Sequence, residues 1–172
     1  MSIVLIGMPA AGKTTVGELL AKRLGLSFVD LDRRIVADTK RSIADIFATD
    51  GECAFRKLEA AAVREVLAGS NIVLALGGGA VSVVQVREAI AAHTVVWLEV
   101  SVPAALSRLG DTKHRPLLIG DSEEKLTNLL LERAALYAKL ADITVQTTKE
   151  LPSQIVEQIQ RALAKKYAKD CA

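Results

Sequence analysis

The amino-acid sequence predicts an α/β fold, a parallel sheet of five strands wrapped by helices. Two observations carry this reading. Short apolar, β-branched segments alternate with amphipathic helical stretches along the chain, the pattern of strand and crossover helix. The first of these strands runs directly into "GMPAAGKT" at residues 7–14. That stretch fits G-x-x-x-x-G-K-[ST], a turn whose backbone cradles phosphates when a strand precedes it and a helix follows. At 172 residues the chain suits one domain with a full hydrophobic core, so a single domain over 1–172 is expected.

Strands are predicted at 3–6, 28–31, 72–76, 94–98 and 143–145, each a short run rich in Val, Ile or Leu. Helices are predicted at 13–24, 43–49, 52–67, 82–91, 103–109, 122–140 and 152–167, with Pro103 and Pro152 placed where a first turn has no N–H partner to lose. Two segments fit the alternation poorly. About forty residues separate the second and third strands, more than one crossover helix needs, and "GDTKHRPLLIG" at 110–120 is charged and bracketed by glycines. The first (32–60) could hold an acceptor; the second (110–122) could be a lid in which Lys113 and Arg115 close over a γ-phosphate, or equally an ordinary solvated charged loop.

Composition excludes several partners. The hydrophobic content is 51%, but the apolar runs fall far short of the ~18 residues of a membrane span. "MSIVLIG" lacks the basic stretch and cleavage site of a signal peptide, so a cytoplasmic location is expected. The 22 basic and 20 acidic residues are well mixed, which gives no footprint for nucleic acid. Cys53 and Cys171 have no metal spacing and read as reduced thiols, and an apolar core with mixed charges outside is compatible with a monomer.

In open α/β sheets ligands lie beyond the carboxyl ends of the strands, so chemistry is sought just after each one. After the first, Gly7 and Gly12 permit the tight loop, Lys13 would reach the β- and γ-phosphates and the Thr14 hydroxyl would bind Mg²⁺. After the second comes "VDLD". If the strand continues through Asp32, both carboxylates point the same way, one to support Mg²⁺ through water and one to hold an acceptor hydroxyl. The plainer alternative makes them a strand-end turn residue and the N-cap of a short helix. Gly77, Gly78 and Gly79 after the third strand read either as a simple flexible turn or as exposed backbone N–H groups that suit an anion or a hydroxyl-rich ligand. No Walker B Asp stands on that strand, which leaves Asp30 as the better metal support and Glu99 as its rival.

Two arginines stand out on helices. Glu52, Arg56 and Glu59 share a face at i, i+4 and i+7, which puts Arg56 at the edge of the core with a carboxylate to orient it. Arg133 interrupts the apolar line Leu126, Leu130, Tyr137, Leu140, where a guanidinium needs a carboxylate or a polar cavity. Each alone reads equally as a structural ion pair or a snorkelling surface residue; both beside a P-loop suggest a clamp on an anionic substrate. His93 and His114 have no second ligand or base near them, and Trp97 reads as core.

Together "GMPAAGKT", "VDLD", "RSIADIFATDGECAFRKLE", "LALGGGAV", "RPLL" and "ERAALY" make the chain resemble the shikimate kinases, of the nucleoside-monophosphate-kinase-like P-loop group. The resemblance spans essentially the whole length. It implies a three-layer P-loop kinase fold with strand order 2-3-1-4-5, and transfer of phosphate from ATP, with Mg²⁺, to the 3-hydroxyl of shikimate on the way to chorismate. It also implies residue roles. Asp32 would hold shikimate hydroxyls and serve as base, while Arg56, Arg133 and Gly77 to Gly79 fix the carboxylate and ring between apolar walls at Phe47 and Phe55. Asp30 and Thr14 would support Mg²⁺. ATP would lie on Gly7, Ala10, Ala11, Gly12, Lys13, Thr14 and Thr15, with Arg108 stacking on adenine and Arg115 of the lid touching the transferring phosphate.

The chain departs from the family at Lys40, where Gly is frequent, so either the local backbone differs there or Lys40 carries a strained positive φ. Pro9-Ala10-Ala11 replaces small residues, Ser or Gly without an expected consequence, and "TTKELP" offers no arginine for adenine. A gluconate kinase is the nearest rival activity. An adenylate kinase would need a "DG-x-P-R" stretch and a GTP switch a D-x-x-G loop with a guanine reader, and neither occurs.

Overall fold

The computed structural model describes residues 2–69, 71–109 and 122–170. Its sheet has five parallel strands: β1 (Ile3–Ile6), β2 (Ser27–Asp30), β3 (Ile72–Ala75), β4 (Thr94–Glu99) and β5 (Ile143–Gln146), in the order β2-β3-β1-β4-β5. Ile3 pairs with Val73 on one side and Thr94 on the other, so β1 lies at the centre. Every residue of β1 and β3 is buried, whereas β5 at the edge alternates buried and exposed. That contrast follows from helices covering both faces of the inner strands while an edge strand meets solvent.

Helices α1 (Lys13–Leu24), α2 (Leu31–Thr39), α3 (Ile43–Thr49), α4 (Gly51–Leu67), α5 (Val84–Ile90), α6 (Val102–Leu109), α7 (Ser122–Leu140) and α8 (Pro152–Asp170) join them. α1 packs on α8, α4 on α5, and α6 on α7. Among the described residues no helix is long and apolar enough to cross a membrane.

Three expectations change. The second strand stops at Asp30 rather than continuing, because Asp30 caps α2: its Oδ1 accepts the Arg33 N–H at 3.2 Å. The extra residues between β2 and β3 are therefore two helices, α2 and α3, ahead of the crossover helix α4. The helix expected at 82–91 is broken in two. A 3₁₀ turn, Ala80–Ser82, precedes an extended Val83 (φ −85°, ψ 123°), and Arg87 Nη1 donates to the Val81 and Ser82 carbonyls at 2.8 and 2.9 Å. Those bonds satisfy the carbonyls that an uninterrupted helix would have used. Finally, α8 runs on to Asp170, since "AKKYAKD" holds no residue that would stop it.

Lys40 does take the left-handed conformation, at φ 57°, and closes α2. Just beyond it, Ser42 caps α3 by accepting the Asp45 N–H at 3.0 Å. Arg41 bonds Asp45 and Asp50, each at 2.7 Å, which fastens the turn that aims Ile43 and Phe47 inward.

Candidate active site

The P-loop after β1 is shaped by positive φ at Gly7 (142°), Ala10 (61°) and Gly12 (90°). A Cβ on Gly7 would lie 2.4 Å from the Leu98 carbonyl oxygen, so only glycine fits. Gly12 precedes α1 without a side-chain cap, which leaves the first N–H groups of that helix and its dipole to an anion. Ala10 corrects the expectation that alanine there has no consequence, because a left-handed residue with a Cβ costs about 1 kcal/mol. Ala11 is buried and its N–H donates to the Met8 carbonyl at 3.2 Å. Gly7 and Ala11 thus shape the loop from beneath, while Ala10, Gly12, Lys13, Thr14 and Thr15 line a cavity of about 690 Å³. Lys13 Nζ lies across the loop, donating to the carbonyls of Gly7 (2.9 Å) and Met8 (2.8 Å).

Asp30 and Asp32 both line that cavity, although not as neighbours on one extended strand. Asp30 ends β2 and Asp32 lies in the first turn of α2, so the short helix of the plainer reading exists but its cap is Asp30 rather than that reading's Asp32, and both carboxylates still reach the site. While Asp30 Oδ1 caps the helix, its Oδ2 accepts the Thr14 hydroxyl at 2.7 Å. The bond uses the hydroxyl proton and leaves its oxygen lone pairs, beside a carboxylate, as hard donors of the kind Mg²⁺ prefers. No group of three or more His, Cys, Asp or Glu suited to a metal occurs among the described residues.

The opposite wall is charged and apolar by turns. Arg56 is held by Glu59 (Nη1 to Oε2, 2.8 Å) and Glu52 (Nη2 to Oε1, 2.9 Å). Burial works against its charge, and the two carboxylates more than offset that. Phe47 and Phe55 stack obliquely, with centroids 4.8 Å apart, and the Arg56 guanidinium lies 5.4 Å from the Phe55 ring.

The glycine run stands in close contact with its neighbours. A Cβ on Gly79 would meet the Arg56 guanidinium at 2.3 Å, one on Gly78 would meet Pro9 of the P-loop at 3.1 Å, and one on Gly77 would meet Asp32 and Glu59, each at 3.0 Å. Those glycines therefore pack the P-loop, both carboxylates and Arg56 around one short loop.

Glu59 is fully buried, and its Oε1 has no hydrogen-bond partner among the described residues. Burial pushes its carboxyl up to about 7, against the pull of Arg56 and, more weakly, Arg133, and Asp32 adds to the rise. Arg133 of α7 is itself buried at 8% exposure and reaches the same cavity. The predicted polar setting for an arginine on an apolar stripe is thus the cavity together with Glu59.

Arg108 lines the far side, where Nη1 reaches the Ala10 carbonyl at 3.5 Å and Nη2 donates to the carbonyls of Thr147 and, at 3.1 Å, Thr148. The segment "TTKELP" contributes by holding Arg108 through its backbone.

A sequence model of the family described as shikimate kinase matches residues 9–164. The chain belongs to the shikimate kinase family. A shikimate kinase of Mycobacterium avium (strain 104) is 50% identical over 157 residues, covering 91% of this chain and 89% of that protein. Among solved structures, shikimate kinase from Acinetobacter baumannii in complex with shikimate superposes with a TM-score of 0.92 at 34% identity, over 96% of this chain and 94% of that one. A gluconokinase from Sinorhizobium meliloti 1021, 18% identical with a TM-score of 0.57 over 95% of this chain and 91% of that one, shares the fold alone.

For this shikimate kinase family member the cavity gathers the P-loop, Asp30, Asp32, Phe47, Phe55, Arg56, Gly77 to Gly79, Arg108 and Arg133. Arg115, Lys113, His114 and the expected lid as far as residue 121 lie outside the described residues, as does Cys171. Sequence reasoning left Ile43, Glu59 and Leu129 out of the site, and all three line it. Glu59 had a signal in its i+3 spacing from Arg56. Ile43 and Leu129 had none, being ordinary apolar positions on α3 and α7. His93 accepts the Ser2 N–H at 3.3 Å and Trp97 is 8% exposed, which leaves both in structural roles.

Proposed function

We propose that the chain transfers the γ-phosphoryl group of ATP to the 3-hydroxyl of shikimate, giving shikimate 3-phosphate and ADP. The observation that carries this is one cavity lined both by the P-loop and by Arg56, Arg133, Asp32 and the apolar Phe47 and Phe55. ATP would lie on the P-loop and the N-terminus of α1, with Lys13 across its phosphates and Arg108 against the adenine side. The shikimate carboxylate would lie between Arg56 and Arg133, beside Gly78 and Gly79, with Phe47 and Phe55 against the ring.

That placement turns the acceptor hydroxyl towards Asp32. The hydroxyl oxygen attacks the γ-phosphorus in line as the bond to the β,γ-bridging oxygen breaks, and its proton passes to Asp32. Thr14, with Asp30 behind it, would hold Mg²⁺, which neutralises charge on the phosphates. By resemblance, Arg115 meets the transferring phosphate. The whole chain acts as one kinase domain, with 32–60 serving the acceptor. The chain is read as a monomer, and an ATP-dependent reaction suits the cytoplasm.

ADP release measured with MgATP and shikimate, with gluconate and with neither tests the reading. Saturable turnover with shikimate alone is expected. Turnover with gluconate and none with shikimate would overturn the acceptor.

A further inference from the structure

Tyr137 stands one turn beyond Arg133 on α7, fully buried, and does not line the cavity. Its hydroxyl donates to the Gly78 carbonyl at 2.6 Å. A trans peptide is planar, with its carbonyl and its N–H pointing in opposite directions, and no peptide bond among the described residues is cis. Anchoring the Gly78 oxygen therefore fixes the Gly79 N–H, which points away from Tyr137, and Gly78 and Gly79 both line the cavity. Gly79 in turn packs under Arg56. Arg133 acts on the phenolic oxygen from the preceding turn, and burial keeps the phenol protonated, pushed up to about 12. The ring lies 5.8 Å from that of Trp97 on β4, which ties the arrangement to the sheet.

We propose that Tyr137 is a positioning residue for the acceptor carboxylate, its hydroxyl holding the Gly78–Gly79 peptide and Arg133 in one arrangement that converges with Arg56 on the same anion. This rests on the reading of the cavity as the shikimate site. The hydroxyl acts by preorganisation. Without it the Gly78 carbonyl loses a buried donor, the peptide plane is free to turn, and the cost falls on binding the anion rather than on phosphoryl transfer.

Tyr137→Phe keeps the ring and its contact with Trp97 while removing the hydroxyl. The KM for shikimate should rise roughly tenfold, the loss of one charge-linked hydrogen bond, while kcat and the KM for ATP stay within about twofold. A lower Tm with an unchanged shikimate KM would make Tyr137 merely structural and overturn the proposal. In an Arg133→Ala background the same substitution should cost less than about threefold, and an undiminished tenfold loss there would overturn the shared arrangement.

The parent protein gives a reading that needs no variant. The Gly79 amide should shift and gain exchange protection on shikimate addition, and an unmoved Gly79 resonance would equally overturn the proposal. Absence of shikimate turnover in the parent would instead sink the acceptor reading itself, before any variant is compared.

Discussion

Thr14 and Asp30 are joined by a 2.7 Å hydrogen bond from hydroxyl to carboxylate, while the other oxygen of Asp30 caps α2. One side chain thus couples the P-loop to the start of the acceptor segment. Asp30→Asn can still cap the helix through its carbonyl oxygen but loses the negative charge behind Thr14. The Mg²⁺ concentration for half-maximal activity should rise about tenfold with little change in the shikimate KM, as a Mg²⁺ titration of turnover would report. An unaltered Mg²⁺ dependence would confine Asp30 to capping.

Asp32 and Arg133 should separate in kinetics. Asp32→Asn keeps size and removes the proton acceptor, so kcat should fall at least ~10²-fold with the KM for ATP nearly constant. Arg133→Ala should raise the shikimate KM strongly and move kcat less. An equal kcat in Asp32→Asn would remove Asp32 from the chemistry.

Gly79→Ala places a methyl 2.3 Å from the Arg56 guanidinium, which must then leave its place between Glu52 and Glu59. The shikimate KM should rise at least about tenfold while ATP binding persists, a split that steady-state kinetics with each substrate varied would show. Comparable losses for both substrates would mean that the loop as a whole had collapsed.

Glu59 gives a pH signature. Its carboxyl is raised from 4.5 to about 7 in the folded protein, so the native state holds a proton that the unfolded chain has released. The associated stability is fully present below about pH 4.5, declines as pH rises towards 7 and is level above that. The size of the decline is on the order of 3 kcal/mol at most. Glu59→Gln should remove this decline from a plot of Tm against pH. A parallel decline in the variant would assign it to other groups.

Among the described residues two non-glycine residues hold left-handed backbone, Ala10 at φ 61° and Lys40 at φ 57°. Lys40→Gly at the exposed end of α2 should stabilise by about 1 kcal/mol, read as a higher midpoint in urea with an unchanged slope. Ala10→Gly should relieve similar strain but loosen the loop that carries the phosphates, so its gain in stability should come with a higher KM for ATP.

The strands and most helices were legible because their signals are local: β-branched runs, helical spacing and a motif that states its own strand–helix setting. α2 was hidden. "LDRRIVADT" carries only two buried positions, Leu31 and Ile35, and the cap that starts it is an aspartate equally suited to a strand-end turn. The break at Val83 was hidden too, since it depends on Arg87 folding back onto carbonyls of the preceding turn.

Within the site, the P-loop was singled out by its own motif, and the aspartates, the glycine run and the arginines, each open to a plain structural reading alone, were singled out by occurring together with it. Sequence alone could not decide that Glu59 would be buried with one oxygen unpaired, or that Tyr137 would reach Gly78 across 59 positions. Those outcomes follow from packing α4 and α7 around the same glycine loop. Desolvation and hydrogen-bond geometry depend on which groups meet in space, and that is set by the assembled core rather than by any stretch of chain within it.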